Sequence, residues 1–191
     1  MSDQVEALSE MLTPFGDDIG DVVDWEAVKS AYGTDFPEDY KAFVRLFGNG
    51  TVEGMIGVRI PIVTVDPMVR RVAPLSSSIR TDPAFNRWAD PNMDYTLDQL
   101  LVWGETDSAD VLCWIAVGSN PDGWPVAVYV RGDAAWTVYR CGMAEFLVKL
   151  LRGEFSECPI TDASLMGLQN PRFLHDREEE RLAEQGVYPW D

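Results

Sequence analysis

The sequence is poor in the side chains from which most active sites and metal sites are built. It contains a single histidine, His175, and three cysteines that form no CxxC pair. A zinc site therefore lacks a ligand set. A catalytic triad would have to be assembled around a histidine in a polar tail, where we expect that side chain to be solvated. Gly48-Asn49-Gly50 follows a predicted helix instead of opening one, which argues against a phosphate-binding loop. We expect no catalytic residue, no metal and no cofactor.

Long apolar runs are also missing. Residues 111–117 form one of the longest, and a bilayer span needs about 20 residues. Residues 1–20 carry neither a basic stretch nor an apolar one, so they do not resemble a signal peptide. An odd number of scattered cysteines is typical of reduced thiols. These features predict a cytoplasmic protein that does not contact a membrane.

Basic side chains are scarce. The chain has 15 Lys and Arg against 32 Asp and Glu, which gives a net charge of −17, and its first 26 residues hold eight carboxylates without one Lys or Arg. Such a chain repels a phosphate backbone, so direct nucleic-acid binding is not expected. It would attract a basic protein partner. The alternative is that the acidity serves solubility.

What the sequence does contain is a globular core. Of the 191 residues, 46% are hydrophobic and 11% aromatic, which is enough for one domain spanning residues 1–191. Asp24 and Gly33 can cap a helix that begins at Trp25. Pro37 suits the first turn of the next helix. An apolar stripe at helical spacing follows Pro37, made of Tyr40, Phe43, Val44 and Phe47.

After Gly50 the hydrophobic period changes from helical to alternating. Strands are predicted at residues 55–63, 100–103, 111–117, 126–130 and 135–139, and the short loops between the last four predict an antiparallel meander. Residues 69–94 are a long connection. Residues 143–151 are predicted to form an apolar helix, and residues 177–186 are predicted to form an exposed helix.

The order of several motifs resembles that of the SUKH superfamily of immunity proteins, which includes fungal cell-wall-assembly regulators. In chain order, the features are the Trp25 helix, Phe36-Pro37-Glu38-Asp39-Tyr40-Lys41, Asn49-Gly50, Trp103-Gly104, Trp124-Pro125, and a Phe146-Leu147 helix that leads to Gly153-Glu154. The resemblance covers residues 25–154 and leaves residues 1–20 and 160–191 unassigned. Family members usually have a second glycine where this chain has Thr51.

The resemblance implies an α+β fold, with a curved, mostly antiparallel sheet of about five to six strands and N-terminal and C-terminal helices packed against it. It also implies a non-catalytic binding role. Bacterial members neutralise secreted toxins, often nucleases or deaminases. The acidity then fits an inhibitor that competes for a basic toxin surface. The alternative is a regulatory adaptor or scaffold of the same fold that binds a cellular protein.

Four acidic residues and one tryptophan are the candidate partner contacts. Glu105, Asp107 and Asp110 cluster in one predicted loop, and Asp122 lies in the next one, where such acids meet Lys or Arg of a partner or simply form solvated turns. Trp124, in a turn, is the predicted exposed apolar anchor. Trp88, in the long connection, is a further candidate anchor. The tryptophans at positions 25, 103, 114 and 136 are predicted to lie in the core.

A third hypothesis gives the same loop a chemical role. Glu105 and Asp107 could act as paired acids in a hydrolase, or bind a hard cation. We rank this hypothesis behind the two binding roles, because acids in loops are most often solvated turn formers.

Overall fold

The computed structural model describes residues 3–17, 19–61 and 71–190. Its helices are Asp3–Met11 (α1), Trp25–Tyr32 (α2), Glu38–Leu46 (α3), Ser77–Thr81 (α4), Met143–Arg152 (α5) and Asp176–Glu184 (α6). Its strands are Thr13–Pro14 (β1), Gly50–Val52 (β2), Ile56–Val58 (β3), Ala73–Pro74 (β4), Leu100–Thr106 (β5), Val111–Ile115 (β6), Val126–Val130 (β7), Ala135–Tyr139 (β8) and Arg172–His175 (β9). No helix in these ranges has both the length and the apolar character needed to cross a bilayer.

The strands form one mostly antiparallel sheet in the order β1-β9-β2-β3-β5-β6-β7-β8, with β4 paired to β5 beside this path. The predicted α+β class is therefore confirmed, but the sheet is larger than the five to six strands expected. Three of the added strands have only two to four residues, which is too short for an alternating pattern to be recognised. The strand predicted at residues 55–63 is formed at Ile56–Val58, and residues 62 and 63 lie outside the described residues. A further short strand, Gly50–Val52, precedes it and pairs with it.

The predicted helix signals act as expected at α2. The Asp24 side chain accepts a hydrogen bond from the Ala27 N–H at 3.1 Å, and Gly33 adopts a left-handed conformation with φ 70°. Pro37 precedes α3 as its N-cap, and the Glu38 N–H there donates to the Asp122 carboxylate at 2.7 Å. A loop more than 80 residues further along the chain thus completes this helix start.

One face of the sheet carries the larger core, covered by α1, α3 and α5. Tyr40 of α3 meets Trp114 edge to face with ring centroids 4.7 Å apart, and Phe146 of α5 meets Trp103 in the same way at 6.3 Å. All four of these side chains are fully buried. The predicted core roles of Trp103 and Trp114 are confirmed, and these contacts explain the Tyr40 and Phe146 motif positions.

The opposite, outer face carries a smaller core under the long connection. Residues 71–99 lie across β5 to β8, and the Trp136 indole donates to the Phe85 carbonyl at 2.8 Å while its backbone N–H donates to Arg87. Trp136 is buried, as predicted. Trp88 lies beside it, with ring centroids 6.1 Å apart, and is only half-buried.

Both terminal segments belong to this architecture. Helix α1 packs against α5, and β1 extends the sheet through parallel pairing with β9. Strand β9 lies between β1 and β2 and buries Phe173 and Leu174 completely. The prediction that His175 is solvated was wrong. It is the last residue of β9 and is only 2% exposed.

Candidate functional site

A groove lies on the part of the outer sheet face formed by β2, β3 and β5. Thr51, Gly57 and Glu105 occupy facing positions on these strands, so their side chains share one face. The groove has a volume of 360 Å³. Among the described residues, its lining includes Asn49, Gly50, Thr51, Gly57, Val58, Arg59, Glu105, Asp176 and Glu179.

A bulge in β5 decides that Glu105 faces the groove. The pairing of β5 with β6 shifts by one residue between Val102 and Gly104. Strict alternation from Val102, which lies in the outer core, would turn Glu105 towards the larger core. The extra residue, Trp103, reverses the alternation, so Glu105 pairs with Val111 and points outward.

The Asn49-Gly50 motif has a positioning role beside the groove. The Asn49 side-chain amide donates to the Asp176 carboxylate at 2.6 Å, and the Asp176 N–H donates to the Asn49 carbonyl at 3.0 Å. A Cβ at Gly50 would lie 2.3 Å from the Leu174 carbonyl oxygen, so only glycine fits without moving β9. The motif therefore fixes the start of α6 at the groove rim.

The sequence profile of the SMI1 / KNR4 family (SUKH-1) matches residues 20–158. The chain belongs to this family. No curated protein and no solved structure matches the chain. Membership supports an immunity-like or regulatory role that works through protein binding.

Only part of the groove lining lies within the range that matches the family profile. Arg59 and Glu105 lie inside the matched range, but α6 lies outside it and contributes Asp176 and Glu179. Two of the three carboxylates of the lining therefore come from a segment that the family profile does not describe. The acidic rim therefore lies outside the range that the family profile matches.

Electrostatics make the groove suited to cations. Among the described residues of its lining, three carry a carboxylate and one, Arg59, carries a guanidinium, which forms an ion pair with Glu105. Two buried polar atoms of the lining, Thr51 Oγ1 and Arg59 Nε, have no hydrogen-bond partner among the described residues. Within those residues, no group of three or more His, Cys, Asp and Glu side chains is placed to hold a metal ion. The geometry suits binding of Lys or Arg from a partner.

The predicted contact residues fall into two groups. Glu105 lines the groove, Asp107 lies exposed in the turn that follows it, and Asp122 lies exposed at the start of α3. These three remain candidates for partner contact. The sequence indicated an exposed polar helix around residues 177–186, but its acidic first turn gave no sign that it borders Glu105.

The prediction that Asp110 and Trp124 lie on the surface and contact a partner is wrong. Asp110 is fully buried, because its carboxylate accepts hydrogen bonds from Arg131 and Thr161, far along the chain. Trp124 is 3% exposed, and its ring lies 6.4 Å from that of Trp114. The short turn of residues 121–123 folds the indole back onto the larger core.

Hydrogen bonds among Asp21, Asn49, His175 and Arg177 form a polar hub at the start of α6. The Arg177 N–H donates to His175 Nδ1, which leaves the proton of a neutral imidazole on Nε2, 3.1 Å from the Asp21 carboxylate. The Asn49 N–H and Arg177 guanidinium donate to the same carboxylate. Burial acts to raise the pKa of Asp21, but these hydrogen bonds outweigh it and lower the pKa from 3.8 to about 2.

This hub predicts a pH-dependent contribution to stability. Because the folded pKa of Asp21 lies below the unfolded value, the contribution is present above pH 3.8 and is lost as the pH falls towards 2. After allowance for solvent screening, we expect Asp21→Asn to lower the free energy of unfolding by about 1 kcal/mol at pH 7. Urea unfolding of both proteins across this pH range measures the difference, which should shrink towards zero at the acid end. A difference that stays constant with pH would contradict the assignment.

Proposed function

We propose that this protein is a cytoplasmic, non-catalytic immunity protein that neutralises a basic bacterial toxin by occluding its functional surface. The toxin class that fits best is a nuclease or deaminase, because enzymes that act on nucleic acid carry basic binding surfaces. The observation that carries the proposal is the acidic groove on a fold of the SMI1/KNR4 family.

Charge complementarity supports a fast and selective encounter. A net charge of −17 attracts a basic domain from a distance and repels nucleic acid that competes for the same toxin surface. The proposed contacts are Glu105, Asp176 and Glu179 in the groove lining, together with Asp107 in the turn after β5. Asp122 lies beyond the other end of β6, beside α3, and is proposed as a separate contact. Glu105 and Asp176 also hold Arg59 and Asn49 in place, so they are unsuitable for charge reversal.

The test uses the toxin domain encoded beside this gene, with calorimetric titration of the purified pair. We expect the double reversal Asp107→Lys and Glu179→Lys to weaken binding by about 10- to 100-fold, mainly through slower association. The effect should be smaller at high salt, because screening reduces the charge contribution.

The matched control reverses two exposed carboxylates elsewhere, Glu10→Lys and Asp94→Lys. This pair changes the net charge by the same amount, so it measures the long-range effect alone. Equal weakening by both double variants would remove the groove from the interface. Absence of toxin binding, with capture of a cellular protein instead, would favour the regulatory adaptor.

A further inference from the structure

A second surface, formed by the segment before α2, exposes an apolar side chain. Val22 is fully exposed, whereas most large apolar side chains of the described residues are covered. The segment that carries it is anchored on both sides. The Gly20 and Asp21 N–H groups donate to the Phe47 and Val44 carbonyls, and Asp24 caps α2. Val22 is therefore held outward on a fixed backbone.

Two grooves flank this valine, and Val22 lines both. The groove on the α2 side has a volume of 340 Å³, and six of the eight described residues in its lining are apolar: Val22, Val23, Ala27, Val28, Ile60 and Pro61. The groove on the α3 side has a volume of 540 Å³ and includes Trp25 and Ala42. Val22 thus forms an apolar ridge, and the α2-side groove forms an apolar hollow next to it. Among the residues that the structure describes, neither groove shares a lining residue with the acidic groove.

The charges of the α3-side groove are balanced. Asp21 and Glu38 line it together with Lys41 and Arg45, so the formal charges of its described lining residues sum to zero in a chain of net charge −17. Only three of the first 50 residues are basic, and two of them lie here. A strongly basic partner has no electrostatic reason to prefer this surface over the acidic groove.

We propose that this surface pairs two copies of the chain in a symmetric dimer. A two-fold interface brings the same patch of each copy together, so the patch must be complementary to itself. The ridge and adjacent hollow meet that requirement in shape. In charge, the two acids and two bases of the α3-side groove balance, and Asp24 of the α2-side groove leaves the described lining of the whole surface with one acid in excess. Two copies of net charge −17 also repel each other least where their facing charges nearly cancel. The dimer leaves both acidic grooves open for partners.

Sedimentation velocity over a concentration series tests the proposal on the full-length protein at physiological salt. We expect a monomer–dimer equilibrium, and Val22→Asp should raise the dissociation constant by at least about tenfold, because it puts a charge where the ridge is buried. Since Val22 is fully exposed in a single copy, this variant should fold normally. Val187→Asp is the control, because it makes the same change at an exposed valine outside both grooves.

Amide chemical shifts of the wild type provide the second measurement, and changes with concentration should map to residues 21–25, 38–45 and 60–61. A protein that stays monomeric at the highest soluble concentration would overturn the proposal. Equal effects of the two aspartate variants would do the same. If Val22→Asp abolished binding of another protein while the wild type remained a monomer, the occupant would be that protein and not a second copy.

Discussion

Asp110→Ala is expected to lower the free energy of unfolding by about 4 kcal/mol, among the largest effects of any single substitution in this chain. The Asp110 carboxylate accepts hydrogen bonds from the Arg131 N–H at 2.9 Å, from the Thr161 N–H at 2.7 Å and from the Thr161 hydroxyl at 2.6 Å. It also accepts one from the Thr106 hydroxyl at 3.1 Å. Alanine leaves these donors without an acceptor, and each unsatisfied buried donor costs about 1 to 3 kcal/mol.

The measurement is the midpoint and slope of urea unfolding, compared with those of Asp107→Ala. Asp107 lies in the same hairpin and is exposed, so its removal should change stability by less than about 0.5 kcal/mol. Asp110→Asn should fall between the two. Its amide retains one acceptor, but either orientation turns its NH₂ group towards the backbone N–H of Arg131 or of Thr161. A loss below about 1 kcal/mol for the alanine variant would show that the carboxylate does not hold these segments together.

The same residue shows why sequence reasoning misplaced part of the surface. A predicted loop with Glu105, Asp107 and Asp110 looks uniformly solvated, because the composition of a turn does not reveal distant partners. The donors that bury Asp110 lie 21 and 51 residues further along the chain. The orientation of Glu105 depends on a one-residue bulge, which leaves no mark in the hydrophobic pattern. Burial of loop acids is thus decided by tertiary contacts.

Sequence signals predict a structure correctly where the contacts that form it lie close together in the chain. The Asp24 cap and the Gly33 terminus of α2 each depend on backbone groups within four residues, and both were identified from the sequence. The β5–β8 meander follows from short turns between apolar runs. Strand β9 gave no such signal, since four residues followed by a polar helix form no recognisable period.

Strand β9 lies outside the range that matches the family profile. The profile match ends at residue 158, yet the next segment supplies a strand inside the sheet, a hydrogen-bonded partner for Asp110 and the acidic rim of the groove. Stability and the proposed binding surface therefore depend on the same C-terminal segment. Changes in this segment alone could alter partner choice while the matched range keeps its helices and meander.

A chain cut after Cys158 is expected not to fold cooperatively at 25 °C, although it keeps the whole range that matches the family. The cut removes Phe173, whose ring lies 5.9 Å from Phe43 and 5.3 Å from Phe47, and leaves both rings open to water. It also removes the strand that pairs with the outer edge of β2, and it removes the Thr161 hydroxyl that donates to the buried Asp110 carboxylate. Each of these losses costs about 1 to 4 kcal/mol, and typical domains are stable by only about 5 to 15 kcal/mol.

The matched control ends after Gln185 and keeps both β9 and α6. It loses the Trp190 indole, which stacks on the Arg172 guanidinium at 4.6 Å, a contact worth about 1 kcal/mol near the surface. Near-ultraviolet circular dichroism and thermal unfolding should show native aromatic packing and one sharp transition for this chain, and neither for the chain that ends at residue 158. If the shorter chain also unfolded in one sharp transition near the full-length midpoint, β9 would not be needed for the stability of the sheet.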